Sequence, residues 1–141
     1  MNAEYNKHLA RRWWEEMWNR WEFALARDIA TPDINFRGSL GREMQGIPAL
    51  HDYMRIVRDA FPDFYNQIDE LVADAEHVAA RLTFSGTHKG ELFGYPPTGR
   101  KIQYAAAAFF TVKDGKIASG WVLGDLHALR EQLAGAPATM P

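Results

Sequence analysis

The second half of the chain alternates apolar and polar residues with a period of two, which is the pattern of a sheet with one buried face. Four strands can be drawn, at 65–72, 77–89, 101–113 and 116–125. A short turn at 73–76, a Gly- and Pro-rich loop at 90–99 and a tight turn at 113–115 join them. Strands that follow one another through such connections usually pair as neighbours, so this half predicts one continuous antiparallel sheet.

In the first part of the chain, the apolar residues recur with the period of a helix. Two apolar stripes recur at helical spacing; they are Tyr5, Leu9, Trp13 and Met17, and beside them Trp14, Trp18, Trp21 and Leu25. They predict a helix at 3–21 and a short second one to about residue 27. The sequence Thr31-Pro32-Asp33 breaks the pattern. A strand at 34–38, a Gly-rich polar loop, a helix at 47–60 and, after the sheet, a last helix at 126–133 complete the prediction.

The chain begins with helices and continues as a curled antiparallel sheet. This order predicts an α+β half-barrel. The sheet packs on about three N-terminal helices, and a short C-terminal helix closes the chain. A length of 141 residues gives room for one domain and one core. We therefore expect a single domain at 1–135 and a frayed Gly-, Ala- and Pro-containing tail at 136–141.

Composition excludes several classes of protein. A formal net charge of −2 leaves no basic excess for phosphates, so we expect no nucleic-acid partner. The absence of cysteine rules out disulfides, thiolate zinc sites and a thiol nucleophile, and no His, Asp and Glu spacing indicates a metal site. No apolar run is long enough for a signal peptide or a membrane span. We expect a cytoplasmic protein without cofactor or membrane association.

Four consecutive alanines, Ala105 to Ala108, stand in the middle of the third strand, where a packed strand normally carries bulk. The type of turn after this strand determines which residues of the next strand pair with the alanines. A two-residue turn at Asp114-Gly115 places Ala108 opposite Trp121, whereas a type I turn with Gly115 as a bulge places it opposite Gly120. We prefer the second. One face then carries Tyr104, Ala106, Ala108, Phe110, Ala118, Gly120, Val122 and Gly124. These small residues predict a concavity that is either a ligand pocket or filled by the helices.

The chain resembles the SnoaL-like polyketide cyclases of the nuclear-transport-factor-two-like superfamily. The order of elements carries the resemblance, together with motifs at turns and strand ends: Phe61-Pro62-Asp63, Gly86-Thr87-His88-Lys89-Gly90-Glu91, Gly94-Tyr95-Pro96-Pro97-Thr98-Gly99-Arg100, Asp114-Gly115-Lys116-Ile117 and Gln132-Leu133. The resemblance implies a cone made by a bent sheet and three helices, with an apolar pocket inside and usually a dimeric assembly. It also implies an enzyme of secondary metabolism.

The same resemblance places the general acid/base aspartate of the aldol cyclases at Val122 and its histidine partner at Ala108. Neither side chain can move a proton, so ring closure by that mechanism is not expected. The aspartate base of the related ketosteroid isomerases would lie at Phe36-Arg37-Gly38, where no carboxylate occurs.

Three other residues are candidates for catalysis. His88 ends the second long strand and has acid/base chemistry near neutral pH, but histidines there are also found bonded to a nearby loop. Tyr104 shares the face of small residues and either directs its hydroxyl at a ligand carbonyl or plugs the pocket. Asp125 precedes the last helix and is either a proton carrier or an ordinary helix N-cap.

Two functions remain open. One is an enzyme of the cyclase, isomerase or hydrolase type that acts on a polycyclic or aromatic apolar substrate. The other is a non-catalytic protein that binds or carries such a small molecule. The expected ligand-binding residues are Met17, Trp18, Phe36, Tyr53, Tyr104, Ala106, Ala108, Phe110, Gly120 and Val122.

The opposite face of the predicted sheet is apolar as well. It carries Phe109, Thr111, Trp121 and Leu123, and such a patch on an open sheet usually marks an interface. We therefore expect a two-fold homodimer through this face.

Overall fold

A computed structural model describes residues 2–136. The last residues of the predicted frayed tail, 137–141, lie outside the described residues. Helices and strands occur in this order: α1 (Ala3–Arg11), a π-helix (Arg12–Trp18), a 3-10 turn (Phe23–Leu25), α2 (Ala26–Ile29), β1 (Ala30–Arg37), β2 (Glu43–Gln45), α3 (Ile47–Ala60), β3 (Tyr65–Ala73), β4 (His77–Thr87), β5 (Lys101–Lys113), β6 (Lys116–Gly124) and α4 (Leu126–Leu133).

The six strands form one open, mixed sheet in the order β2-β1-β6-β5-β4-β3. Helices cover its inner face, so the predicted α+β cone-like fold is confirmed. The four long strands form the predicted antiparallel ladder. The sequence did not place β1 in the sheet. This strand runs parallel to β6, and the long connection that a parallel pair requires passes through α3 and the ladder.

The first helix differs from its prediction. Only its first part is α-helical, and from Arg12 the chain continues as a π-helix in which the Asn19 amide donates to the Trp14 carbonyl oxygen. This wider turn lets four large side chains face the core together, and all four are buried: Trp13, Trp14, Met17 and Trp18. The helical segment then ends at Trp21, whose φ of 53° is the left-handed conformation.

Two segments predicted as irregular are strands. Pro32 lies within β1, where the pairing with β6 shifts register between Ala30 and Asn35, so the missing proline N–H removes no regular ladder bond. Three residues of the predicted polar loop form β2 at the sheet edge. The helix at 47–60 and the last helix have the bounds that the sequence predicts.

The register of the last hairpin differs from both predicted versions. Asp114 and Gly115 both have positive φ, as in a type I′ turn, and Lys113 pairs with Lys116. A bulge at Ala118 then shifts the ladder by one more residue, so that Ala108 pairs with Val122. The preferred register is therefore wrong by two residues. Beyond the bulge, a shift of two leaves the same side chains on each face, so Gly120 and Val122 lie on the inner face and Trp121 on the outer face, as predicted. Before the bulge the shift is only one residue. Ile117, which pairs with the buried Val112, therefore occupies the inner position that the sequence predicted for Ala118.

Candidate functional site

Aromatic side chains of the first helical segment fill most of the space above the small residues of the sheet. The Trp14 ring stacks on Phe110 with centroids 4.8 Å apart. The ring centroid of Trp13 lies 5.3 Å from the ring centroids of both Phe36 and Phe110. At Gly120, an added Cβ would come within 2.8 Å of the Phe36 ring. The small side chains of β5 and β6 thus leave space that the tryptophan rings occupy.

A small cavity remains beside these rings. Its volume is about 20 Å³, measured as the space open to the centre of a water-sized sphere, which is enough for about one water molecule. Its walls are Trp13, Trp14, Trp18, Phe36, Ser39, Tyr53, Val57, Phe64, Asn66, Phe84 and Val122.

Four residues expected from the sequence to bind a ligand belong to these walls: Trp18, Phe36, Tyr53 and Val122. The other six are buried nearby without forming part of them, or, in the case of Gly120, lie beneath the aromatic rings: Met17, Tyr104, Ala106, Ala108, Phe110 and Gly120. The structure therefore brings the expected residues into one core, with the free space at its α3 side.

Three hydroxyl groups meet beside the cavity. The Tyr104 hydroxyl lies 2.9 Å from Ser39 Oγ, and both groups are buried. The Tyr53 hydroxyl accepts a hydrogen bond from the Leu40 amide at 3.3 Å and also interacts with the Ser39 hydroxyl. The loop after β1, helix α3 and strand β5 thus each contribute one residue to a polar cluster, which we call the hydroxyl cluster (Ser39, Tyr53 and Tyr104).

Burial governs the protonation of both phenols. Loss of solvent raises the pKa of Tyr104 far above its ordinary value, and the neighbouring Tyr53 raises it further. Burial also raises the pKa of Tyr53, although its hydrogen bonds with Leu40 and Ser39 oppose that rise. Both tyrosines therefore stay neutral at physiological pH and serve as hydrogen-bond donors, not as bases.

Two glycines allow the hydroxyl cluster to form. A Cβ at Gly38 would lie 2.2 Å from the Tyr53 hydroxyl, and one at Gly124 would lie 2.9 Å from the Tyr104 ring. The sequence analysis missed Ser39 as a site residue. Its position directly after a strand and a glycine is a weak signal, because many turn serines share it.

His88 lies away from the cavity. Its side chain is fully buried beside Phe61, and its Nδ1 accepts a hydrogen bond from the Thr98 amide at 3.2 Å. Its Nε2 has no hydrogen-bond partner within residues 2–136. His88 is thus bonded to the 90–99 loop and is not among the residues that line the cavity.

Asp125 is the N-cap of α4. Its carboxylate accepts a hydrogen bond from the Ala128 amide at 3.1 Å, and the side chain is exposed outside the cavity. This contact satisfies one of the free N–H groups at the start of the helix.

We predict that Asp125→Ala lowers the free energy of unfolding by about 1 kcal/mol, because the cap is lost. Asp125→Asn, which can still cap, should restore most of it. Urea melts of the three proteins measure this difference. A loss of ligand binding or turnover in Asp125→Asn at unchanged stability would contradict a purely capping role.

Neither a metal cluster nor a membrane helix is found in the described part of the chain. Within residues 2–136, no three His, Asp or Glu side chains come close enough to hold a metal ion. Among the same residues, no helix is both long and apolar enough to cross a bilayer.

Comparison with known proteins identifies the family. The family model described as SnoaL-like polyketide cyclase matches residues 8–133. The chain belongs to this family. No curated protein sequence matches the chain.

Several solved structures have the same fold. A candidate SnoaL-like polyketide cyclase from Jannaschia sp. CCS1 is 19% identical with a TM-score of 0.86, covering 96% of this chain and 95% of that one. TsrD from Streptomyces laurentii is 23% identical with a TM-score of 0.84, covering 96% and 99%. AclR from Streptomyces galilaeus, described as a candidate hydroxylase, is 26% identical with a TM-score of 0.73, covering 96% and 81%.

In this SnoaL-like chain, the two positions that the resemblance gives to an acid/base pair are direct neighbours. Ala108 and Val122 are cross-strand partners on the inner face, and both are buried. Side chains at such positions are about 4.5–5.5 Å apart at Cβ, which is within reach of a hydrogen bond between longer residues.

Proposed function

We propose that this protein is a cofactor-independent cytoplasmic enzyme of the cyclase, isomerase or hydrolase type. It takes a polycyclic or aromatic apolar substrate into the cone and acts without the Asp/His pair of the aldol cyclases. The observation that carries the proposal is the hydroxyl cluster, which places neutral donors beside a cavity lined mainly by aromatic side chains.

At least one hydroxyl hydrogen of the hydroxyl cluster is not donated within the cluster. Its three hydroxyl groups carry three hydrogens, and the contacts of Ser39 with Tyr104 and with Tyr53 use at most two of them. Tyr53 accepts its remaining bond from a backbone amide, which consumes no hydroxyl hydrogen. At least one hydroxyl hydrogen is therefore free to bond an acceptor in the cavity, such as a substrate carbonyl oxygen.

Donors of this kind stabilise an oxygen that becomes negative as a carbon acid loses its proton. Tyr53 lines the cavity and is the donor to the substrate, whereas Tyr104 lies behind Ser39 and polarises it. With Ala108 and Val122 in place of an acid/base pair, solvent water takes the proton from the carbon next to the carbonyl.

Aromatic side chains select the substrate. Rings of Trp13, Trp14 and Trp18 form one side of the cavity, and flat aromatic molecules stack on such surfaces. Because the free volume holds about one water molecule, a ring-sized substrate enters only if these side chains move apart.

Hydrogen–deuterium exchange tests this proposal. The probe is 1-tetralone, a bicyclic aromatic ketone, whose exchange at the carbon beside the carbonyl is followed by proton NMR in D2O. We expect the protein to accelerate exchange, Tyr53→Phe to reduce the acceleration by about 10²-fold, and Tyr104→Phe to reduce it less. Tyr65→Phe removes an exposed phenol and is the matched control. Binding without acceleration would contradict catalysis.

One observation favours a second candidate, a non-catalytic binding or carrier protein. The residues around the cavity include no carboxylate and no imidazole, so none can act as a base near neutral pH. Such a protein would bind 1-tetralone and leave its exchange rate at the value in buffer.

We also propose that the protein acts as a homodimer through the outer face of its sheet. Phe109 and Trp121 are cross-strand partners with ring centroids 6.0 Å apart, and their exposed fractions are 57% and 43%. Leu123 lies two residues further along β6 and is 49% exposed. Burying this contiguous apolar surface against a second copy removes it from water.

Light scattering tests the dimer. We expect about twice the chain mass of 16.1 kDa at micromolar concentration, and the chain mass itself for Phe109→Glu, since a buried unpaired carboxylate is costly. Ile56→Glu makes the same charge change at an exposed position of α3 and should leave the mass unchanged. A wild-type mass of about 16 kDa would contradict the proposal.

A further inference from the structure

Asn66 is a buried polar residue on the cavity wall. It lies on β3 and is 3% exposed. Asn19, which follows the π-helix, makes three hydrogen bonds with Asn66. The backbone N–H of Asn66 and its side-chain Nδ2 both donate to Asn19 Oδ1, at 2.8 and 2.9 Å, and Asn19 Nδ2 donates to the Asn66 carbonyl oxygen at 3.0 Å.

These bonds fix the orientation of the Asn66 amide. Because Asn19 Oδ1 is an acceptor, it can only face the NH2 group of Asn66, and a flipped amide would set two oxygens against each other. The Oδ1 atom of Asn66 therefore points away from Asn19. It has no hydrogen-bond partner in the described part of the chain. The cavity wall thus holds a preoriented acceptor with unused capacity.

This acceptor and the hydroxyl cluster belong to distant parts of the sheet. Asn66 lies on β3, at one edge of the sheet. Ser39 lies in the loop just after β1, which is four strands away in the order β2-β1-β6-β5-β4-β3. The curvature of the sheet brings both to the same cavity. A ligand in the cavity therefore meets hydrogen-bond donors from one side and an acceptor from another.

We propose that Asn66 determines the specificity of the cavity for molecules that carry a hydroxyl group as well as a carbonyl, of the class of hydroxylated aromatic ketones. The ligand hydroxyl donates to Asn66 Oδ1, while its carbonyl accepts from the hydroxyl cluster. Asn19 is a positioning residue for Asn66. This inference rests on the proposed function, since it needs an apolar ligand in the cavity.

Calorimetric titration of three related ketones tests the inference. The probes are 6-hydroxy-1-tetralone, whose hydroxyl lies far from its carbonyl, 6-methoxy-1-tetralone, which cannot donate there, and unsubstituted 1-tetralone. We expect the wild-type protein to bind the hydroxy compound about three- to tenfold more tightly than the other two, which is the usual effect of one hydrogen bond.

Substitutions test whether Asn66 causes the preference for the hydroxy compound. Asn66→Leu should abolish the preference for the hydroxy compound, and Asn19→Ala should reduce it by releasing the Asn66 amide. Asn35→Leu makes the same change at an exposed position of β1 and should leave it intact. Equal wild-type affinity for the three ketones, or a preference that survives Asn66→Leu, would overturn the inference alone. Failure of every ketone to bind would overturn the proposed function together with it.

Discussion

Ala108→Leu is expected to lower the free energy of unfolding by about 1–3 kcal/mol, because the added methyl groups overpack a filled core. Ala108 is buried on the inner face beside Val122, and the cavity does not extend to it. Urea denaturation followed by circular dichroism measures the change.

Ala75→Leu is the matched control. Ala75 is exposed in the turn between β3 and β4, away from the proposed dimer surface, so the same change there should alter the free energy of unfolding by less than about 0.5 kcal/mol. If Ala108→Leu proved as harmless as the control, the space above Ala108 would be open, and the ligand pocket would lie over the alanines and not beside α3.

Aldol ring closure of a polyketide ester should proceed no faster with this protein than in buffer. A general acid or base contributes about 10²- to 10⁴-fold, and neither Ala108 nor Val122 can supply one. The double variant Ala108→His, Val122→Asp is expected to restore a trace of turnover, since its side chains would face each other across β5 and β6. Product formation is measured by chromatography.

The same two residue types placed on the outer face give the control for that experiment. Tyr65 and Ser85 are also cross-strand partners and lie away from the proposed dimer surface, so Tyr65→His with Ser85→Asp creates an equivalent pair outside the cone. It should not restore turnover. Efficient ring closure by the unmodified protein would show that another group provides the acid/base chemistry.

The sequence was sufficient to predict the architecture, because the periodicity of each segment follows from which of its faces is buried. It predicted the two faces of β5, and those of β6 from Gly120 onward, even though the register was wrong, since the side-chain period of a strand is two. Before the bulge, Ile117 and not Ala118 faces inward. The bulge at Ala118 that caused the error has no distinctive residue type. The π-helix was missed because its four buried residues also fit an α-helical stripe.

The site was harder to predict than the fold. Small residues on β5 and β6 predicted a concavity, either open or filled. Which of the two occurs depends on how closely the helix approaches the sheet, as the stacking of Trp14 on Phe110 shows. The pairs Ser39–Tyr104 and Asn19–Asn66 join residues 65 and 47 positions apart. No local pattern encodes such contacts. His88 and Asp125 were recognisable as ionisable groups, but their partners, Thr98 and Ala128, decide where they act.

We propose that an aromatic ligand binds inside the cone, beside the tryptophans of the first helical segment. A titration with 1-tetralone that follows the indole N–H signals of the five tryptophans in a nitrogen-15 NMR spectrum tests this binding site. We expect saturable shifts for Trp13, Trp14 and Trp18, which line the cavity, and none for Trp121, which lies on the outer face. Shifts confined to Trp121, or no shift at any tryptophan, would contradict it.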